Sequence, residues 1–369
     1  MKPQPIYLPN KNYFAWPYEE QTQIKHRVLE AYSKVYMSKL GANTDTLFVD
    51  CHGGCGVYID DKKNLNYGSS IRVYQACEQV FSKRRTKNYI AISEQDKKNC
   101  DNLSKVLHDL KIKNVKVYCG DYNDVLNDEK LAAFYQSHPT LFFIDPFGYY
   151  DTPMSQMKKL MNSYGNEILI NFMFDFLNRG IGVSSIDQDQ LMAFFGTDEW
   201  RNAQSLSGLE RESYLVNLYK KKLKETTNAQ YVFAYRLCYP NKNQTYYYLI
   251  HATNHIDGIS LMKSCFASIN NGRVEYLGRR NNNYSLFDMD FFKQNEISNL
   301  LKNIYTGSNI TFKMILEDII EDTAVLEKDL RATLKAMEAN GEISVDRVTS
   351  KTFRGLGGKD IICFHGGNN

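Results

Sequence analysis

Apolar and polar positions follow two rhythms along the first two thirds of the chain. Residues 17–40 place Ile24, Val28, Ala31, Tyr32 and Val35 on one stripe, the spacing of an amphipathic helix. Leu47-Phe48-Val49 is then a short apolar run of strand length, closed by Asp50 and a cluster of glycines. The polar stretch Asp60 to Tyr67 predicts a loop, and Ile71 or Val73, Cys77, Val80 and Phe81 predict a helix over 69–84. The alternation continues: a strand at Tyr89 to Glu94, a helix over 96–110, and strands at Val115 to Cys119 and Leu141 to Ile144. The next helix is punctuated by Thr152 as a cap, Pro153 in its first turn and Gly165 at its end, and Ile168 to Phe172 forms a fifth strand. Strands alternating with helices predict a parallel α/β sheet.

Residues 173–230 break this rhythm and read as a helical insertion, with Phe194-Phe195-Gly196 and an apolar series at Leu215, Leu218, Tyr219 and Leu223. Two more strands, Tyr231 to Cys238 and Thr245 to Ala252, are joined by Pro240-Asn-Lys-Asn243 and read as a hairpin. Five α/β units followed by a hairpin resemble the Rossmann-like sheet of class I S-adenosylmethionine (SAM) methyltransferases; a dehydrogenase would not need the hairpin. The final stretch predicts a helix at Phe312, Ile315, Leu316, Ile319 and Ile320. A second carries Leu330, Leu334 and Met337 and ends at Gly341, and two strands follow over 343–349 and 352–364. That order is expected for a winged helix-turn-helix. The expected division is a methyltransferase-like domain over 1–300 and a winged module over 301–369.

Composition changes this picture little. The 369 residues include 26 Tyr and 20 Phe, ample for a packed core, and a net charge of +3 identifies no partner. No run is apolar and long enough to span a bilayer, and the N-terminus lacks the apolar stretch of a signal peptide, so a soluble cytoplasmic protein is expected. The eight cysteines are scattered without a C-x-x-C pair, which argues against structural zinc. Cys51 and Cys55 have the first spacing of a radical-SAM cluster, but the third position is Tyr58. Residues 308–369 hold 8 Lys/Arg against 10 Asp/Glu, so nucleic-acid contact by the tail would need a local basic face. Lys328, Arg331, Lys335, Lys351 and Arg354 are its candidates, and contact with a protein is the alternative.

Candidate chemistry sits at the strand ends. Asp50 with Gly54 and Gly56 resembles the first motif of SAM methyltransferases, where the turn underlies the methionine part of the cofactor. A dinucleotide fingerprint would need a third glycine where Ile59 stands, and an ordinary strand-to-helix turn is the plain alternative. Glu94 is placed to accept the ribose hydroxyls, with Asp96 as the alternative acid, and Asp121 to accept from the adenine amino group. Either acid could equally be a turn residue. Asp145-Pro146-Phe147-Gly148 is similar to the D-P-P-Y/F motif of amino-methyltransferases. There the carboxylate and the proline carbonyl hold the amine while the aromatic ring stacks on an extruded base. Phe147 replaces the second proline here, so Phe147, Tyr149 or Tyr150 would stack. Lys25 and Arg179 are candidate phosphate contacts, and each is otherwise an ordinary solvated charge.

Together these residues resemble the three-Cys-motif partner family. The match runs through Trp16, Lys25 and Tyr32, then Phe48-Val-Asp-x-x-Gly-Gly-x-Gly56 and Gly68-Ser69, and through Gly120-Asp121-x-Asn123 and Asp145-Pro-Phe-Gly148. It continues with Asn171 to Arg179, Phe195-Gly196 to Trp200, and His251-Ala-Thr-Asn-His255 with Gly258. The chain departs at Cys51-His52, where the family has an apolar and an aromatic residue. The resemblance implies a methyltransferase-like fold, a winged-helix tail and a neighbouring protein bearing three cysteines; it supplies no substrate. The expectation is a SAM-dependent methyltransferase acting on a nitrogen of a nucleic-acid base or nucleotide, with no metal, because the sulfonium itself activates the methyl group. The alternative is an inactive fold that binds the three-Cys-motif protein or nucleic acid. Cleavage of a nucleotide ranks below both, since no nucleophile–base pair is visible.

Overall fold

The computed structural model describes residues 4–9, 11–146, 148, 152–163, 165–181, 187–239, 242, 244–270, 274–275, 286–348 and 355–366. Two compact units divide the chain, residues 1–278 and 279–369.

The first unit is built on seven strands: β1 (Thr46–Asp50), β2 (Asn88–Glu94), β3 (Val115–Cys119), β4 (Thr140–Ile144), β5 (Glu167–Phe172), β6 (Tyr231–Cys238) and β7 (Thr245–Thr253). Their order across the sheet is β3-β2-β1-β4-β5-β7-β6. β1 to β5 are mutually parallel; β7 runs antiparallel to β5 and to β6. This is the class I methyltransferase sheet. Every residue of β1, β4 and β5 is buried, which is why these strands read as apolar runs rather than as alternation. In a parallel sheet all carboxyl ends lie at one edge, and the reversal between β1 and β4 opens the crevice where ligands of such folds bind. Because β7 runs the other way, its first residues and the last of β6 join that same edge.

Helices α1 (Glu20–Leu40), α2 (Ser69–Phe81), α3 (Lys97–Asp109) and α4 (Phe174–Ile181) carry the side chains that matter below. The α1 stripe is rotated from the expected one: Val28, Leu29, Tyr32 and Tyr36 are buried, whereas Val35 is exposed. Tyr32 explains the rotation. Its hydroxyl donates to Glu167 at the start of β5. Glu167 also pairs with His251 Nε2 at 2.9 Å and accepts from Thr253 Oγ1 at 2.8 Å. A Cβ on Gly258 would stand 2.6 Å from Thr253 Oγ1 and 2.7 Å from Glu167, so only glycine fits. The His251 to His255 motif thus fastens α1 and β7 at the edge opposite the strand carboxyl ends.

The helix after β4 is shorter than its punctuation predicts, Met154–Leu160, with Pro153 rather than Thr152 at the N-cap position. Asn166 Nδ2 donates to the Leu160 carbonyl at 2.9 Å and ends the helix early; Gly165, at φ +89, instead serves the turn into β5. The expected loop over 60–67 is partly strand. Leu65–Tyr67 pairs with Val57–Ile59, which pairs with Phe14–Pro17. This small sheet brings Trp16 and Tyr58 over the glycine turn, their rings 6.2 Å apart. The expected insertion holds α4, the helices Gln188–Phe195 and Gly208–Thr226, and a 3-10 turn, Glu199–Ser205. Trp200 and Tyr219 are fully buried there. The hairpin forms as expected, with Pro240, Asn241 and Asn243 of its joint outside the described residues.

The second unit runs helix Leu286–Tyr305, strand Asn309–Thr311, helices Phe312–Ile319 and Glu327–Ala339, and strands Ile343–Asp346 and Ile361–Phe364. The three strands form one antiparallel sheet with the last in the middle. Of the expected basic face, Lys351 and Arg354 lie outside the described residues, and Lys328 and Lys335 are exposed. Arg331 is turned inward. It lies 4.1 Å over the Phe312 ring, pairs with Glu327 at 2.7 Å and donates to the Leu356 carbonyl.

Candidate active site at the strand carboxyl ends

β1 delivers Asp50 to the crevice with no exposed surface. The hydroxyls of Ser69 and Ser70, at the start of α2, donate to its Oδ2, the second at 2.6 Å. Burial pushes the Asp50 carboxyl up to about 6; these donors and the His52 N–H at 3.3 Å pull against that rise. The turn beyond needs glycine. Gly54 and Gly56 sit at φ +62 and +79, and a Cβ on Gly56 would meet Leu103 Cδ1 at 2.6 Å. Asp50 therefore fixes the start of α2, and the glycines let the turn pack flat against α3.

Glu94 ends β2 and reaches back to the turn. Its Oε2 accepts the Gly54 N–H at 2.7 Å and its Oε1 the Asp96 N–H at 2.8 Å. Burial is the largest influence on this carboxyl and raises it. Asp96, the alternative acid, caps α3. Asp121, two residues past β3, caps the short helix Tyr122–Leu126 and accepts the Asn123 N–H at 2.8 Å. Both Glu94 and Asp121 keep further lone pairs, since each carboxylate oxygen accepts more than one hydrogen bond.

Asp145, directly after β4, is held by a cation as well as by an amide. Lys25, from the first turns of α1, forms an ion pair with its Oδ2, and Asn171 Nδ2, at the end of β5, donates to its Oδ1 at 2.6 Å. Burial pushes this carboxyl up, but Lys25, then Asn171 and His52, outweigh it and hold it below the usual range. Lys25 is itself buried, its ammonium 5.7 Å from the Tyr247 ring. Pro146 follows Asp145, and Phe147, Tyr149 and Tyr150 lie outside the described residues.

Two participants were not placed against Asp145 by sequence. His52, where the chain departs from the family, reads as a residue beside the ligand or, more readily, as a turn or core histidine; its Nδ1 accepts the Asp145 N–H at 3.2 Å. Burial lowers its pKa to about 4, against opposing pulls from Asp145 and Asp121. Asn171 was noted only as part of a motif. It is 5% exposed, and its Oδ1 has no hydrogen-bond partner. Turning the amide over would set that oxygen against the Asp145 carboxylate, so the ion fixes its orientation. Its signal in the sequence was a lone polar residue near the end of an apolar strand.

Arg179 does not join this group. It lies on α4 with its side chain 70% exposed, paired with Asp175 at 3.0 Å. Clefts of about 440 and 380 Å³ open beside Arg27 and Arg72 and beside Lys11 and Lys98; neither is lined by Asp50, Glu94, Asp121 or Asp145. No group of three or more His, Cys, Asp or Glu side chains converges as a metal site among the described residues. α3 and β3 are joined by a Cys100–Cys119 disulfide, which the scatter of the cysteines along the sequence did not foretell.

No family model matches the chain, and no curated protein is similar to it. Solved structures with likeness include M. jannaschii TYW2 in complex with AdoMet, at 8% identity and TM-score 0.36, covering 68% of this chain and 86% of that one. An rRNA methylase from Streptococcus thermophilus has 11% identity and TM-score 0.32, with 60% and 93% covered. A precorrin-6y C5,15-methyltransferase from Geobacter metallireducens has 13% identity and TM-score 0.30, with 60% and 87% covered.

Proposed function

We propose that this chain is a SAM-dependent methyltransferase acting on an exocyclic nitrogen of a nucleic-acid base or nucleotide. The observation that carries the reading is Asp145. It is a half-buried carboxylate at the β1/β4 crevice, held ionised by Lys25 and Asn171, beside the glycine turn and the acids at the ends of β2 and β3. The donor set fits the cofactor: Glu94 would take the ribose hydroxyls, Asp121 the adenine amine, and the turn from Gly54 to Gly56 would underlie the methionine part. When bound, SAM supplies an electrophilic methyl group. The chain's own part is alignment. Asp145, with lone pairs to spare, and the Pro146 carbonyl would accept hydrogen bonds from the amine and turn its lone pair toward the methyl group. Phe147 would stack on the base.

Asp145→Ala tests this reading, with radiolabelled methyl transfer to DNA, RNA and nucleotides as the assay. Transfer is expected to vanish while SAM binding survives; undiminished turnover would remove Asp145 from the mechanism. One observation favours a second reading. The Lys25 ammonium already occupies Asp145 Oδ2, where a substrate amine would donate. That suits a non-catalytic fold that binds a three-Cys-motif protein. Co-purification with such a protein and no methyl transfer to any nucleic acid would favour it. We further infer that the second unit is a winged helix, from its helix–strand–helix–helix–strand–strand order.

A further inference from the structure

We propose that the end of the β6–β7 hairpin is a stacking shelf for single-stranded nucleic acid, built from Tyr239 and Tyr246 with Arg179 beside it. The inference rests on the reading of the neighbouring crevice as a base-methylating site, and names how the strand would be held there.

Tyr239 and Tyr246 are stacked, ring centroids 4.4 Å apart and 27° between planes, and both are half-buried. Such a pair is ordinary in a core, but these rings stand at the sheet edge that carries Asp145. The shelf is pinned from below: the Tyr239 hydroxyl donates to Asp175 Oδ2 at 2.8 Å. Asp175 in turn holds Arg179, whose Nε also donates to the Asp175 carbonyl at 3.2 Å. Arg179 is 70% exposed, and its Nη1 has no partner among the described residues, so a donor is left for a ligand on a guanidinium tied at Nε and Nη2. Ordering these groups in advance lowers the entropy lost on binding.

The shelf is continuous with the crevice. Tyr246 lies 5.3 Å from Tyr247, whose ring is 5.7 Å from the Lys25 ammonium on Asp145. The charges of Glu19, Asp145 and Asp175 all reach the Tyr246 phenol, after burial the causes that raise it. Lys25 is paired with Asp145 and Arg179 with Asp175, so the surface lacks the positive excess that grips a duplex backbone. Every base, in contrast, offers a π face to a tyrosine ring. A base presented at Asp145 would have its neighbour over Tyr246 and one phosphate near Arg179.

Fluorescence anisotropy of the full chain tests this, using a labelled mixed-sequence oligodeoxynucleotide as single strand and as duplex. Measurements without cofactor and with S-adenosylhomocysteine keep the shelf's result readable even if cofactor binding fails. The single strand is expected to bind more tightly than the duplex. Tyr246→Leu should weaken it about tenfold, while Tyr246→Phe, which keeps the ring, should not. Arg179→Gln should flatten the salt dependence by about one phosphate. Unchanged binding by Tyr246→Leu and Tyr239→Leu, both confirmed folded by thermal unfolding, would overturn the proposal. So would a wild-type chain that prefers the duplex or binds neither, the result expected of a shelf that seats a protein.

Discussion

At the residue scale, the acids at the strand ends were legible because an apolar run that stops in a carboxylate marks a buried strand emerging at a polar edge. Their partners were not. Lys25 and Asp145 are 120 positions apart, and nothing local announces that α1 lays its ammonium on the end of β4. Their pairing predicts a stability effect. Lys25→Met leaves a half-buried carboxylate without its counter-ion and should cost about 2 kcal/mol in denaturant unfolding. Adding Asp145→Leu should recover part of that loss; a milder single variant would mean the pair is solvated in solution. His52 gives a pH effect of determinable sign. Its pKa falls from 6.5 to about 4 on folding, so between those values the unfolded chain binds more protons and acid destabilises the fold. That penalty is about 2 kcal/mol at pH 5 and nearly absent at pH 7. Asp50, whose carboxyl is raised to about 6, acts in the opposite sense over part of the same range. His52→Phe should therefore make the melting temperature rise more at pH 5 than at pH 7. An equal change at both would show that His52 titrates normally.

At the element scale, periodicity located β1 to β7: the parallel strands β1, β2, β4 and β5 are almost wholly buried and leave apolar runs, whereas β3, at the sheet edge, is only partly buried and alternates. It failed where strands are short. Phe14–Pro17 and Leu65–Tyr67 have four and three residues, too few for a period to declare itself, and they are specified by Trp16 and Tyr58 packing on the glycine turn. The Cys100–Cys119 link was illegible for another reason: spacing alone does not bring α3 beside the end of β3. A bridge between residues 19 apart constrains the unfolded chain by about 3 kcal/mol. Cys119→Ser should lower stability by about that much without reductant and change little in dithiothreitol. The same loss under both conditions would show that packing of the Cys119 side chain is responsible.

At the scale of the whole molecule, the sequence pattern set the boundary near residue 300, whereas the compact units part after residue 278. The helix Leu286–Tyr305 was not recognised; it falls within the second unit. What unites the site across the first unit is topology. The five parallel strands, scattered along the sequence, bring Asp50, Glu94, Asp121, Asp145 and Asn171 to one edge. The central claim is that this edge holds SAM, and calorimetric titration of the full chain with S-adenosylhomocysteine tests it most directly. Saturable binding is expected, weakened about tenfold in Asp121→Ala by loss of one charged hydrogen bond and abolished in Gly56→Asp, with the folding of each variant checked by its melting curve. A wild-type chain that binds no S-adenosylhomocysteine at millimolar concentration, or variants that bind as tightly as it does, would contradict the account.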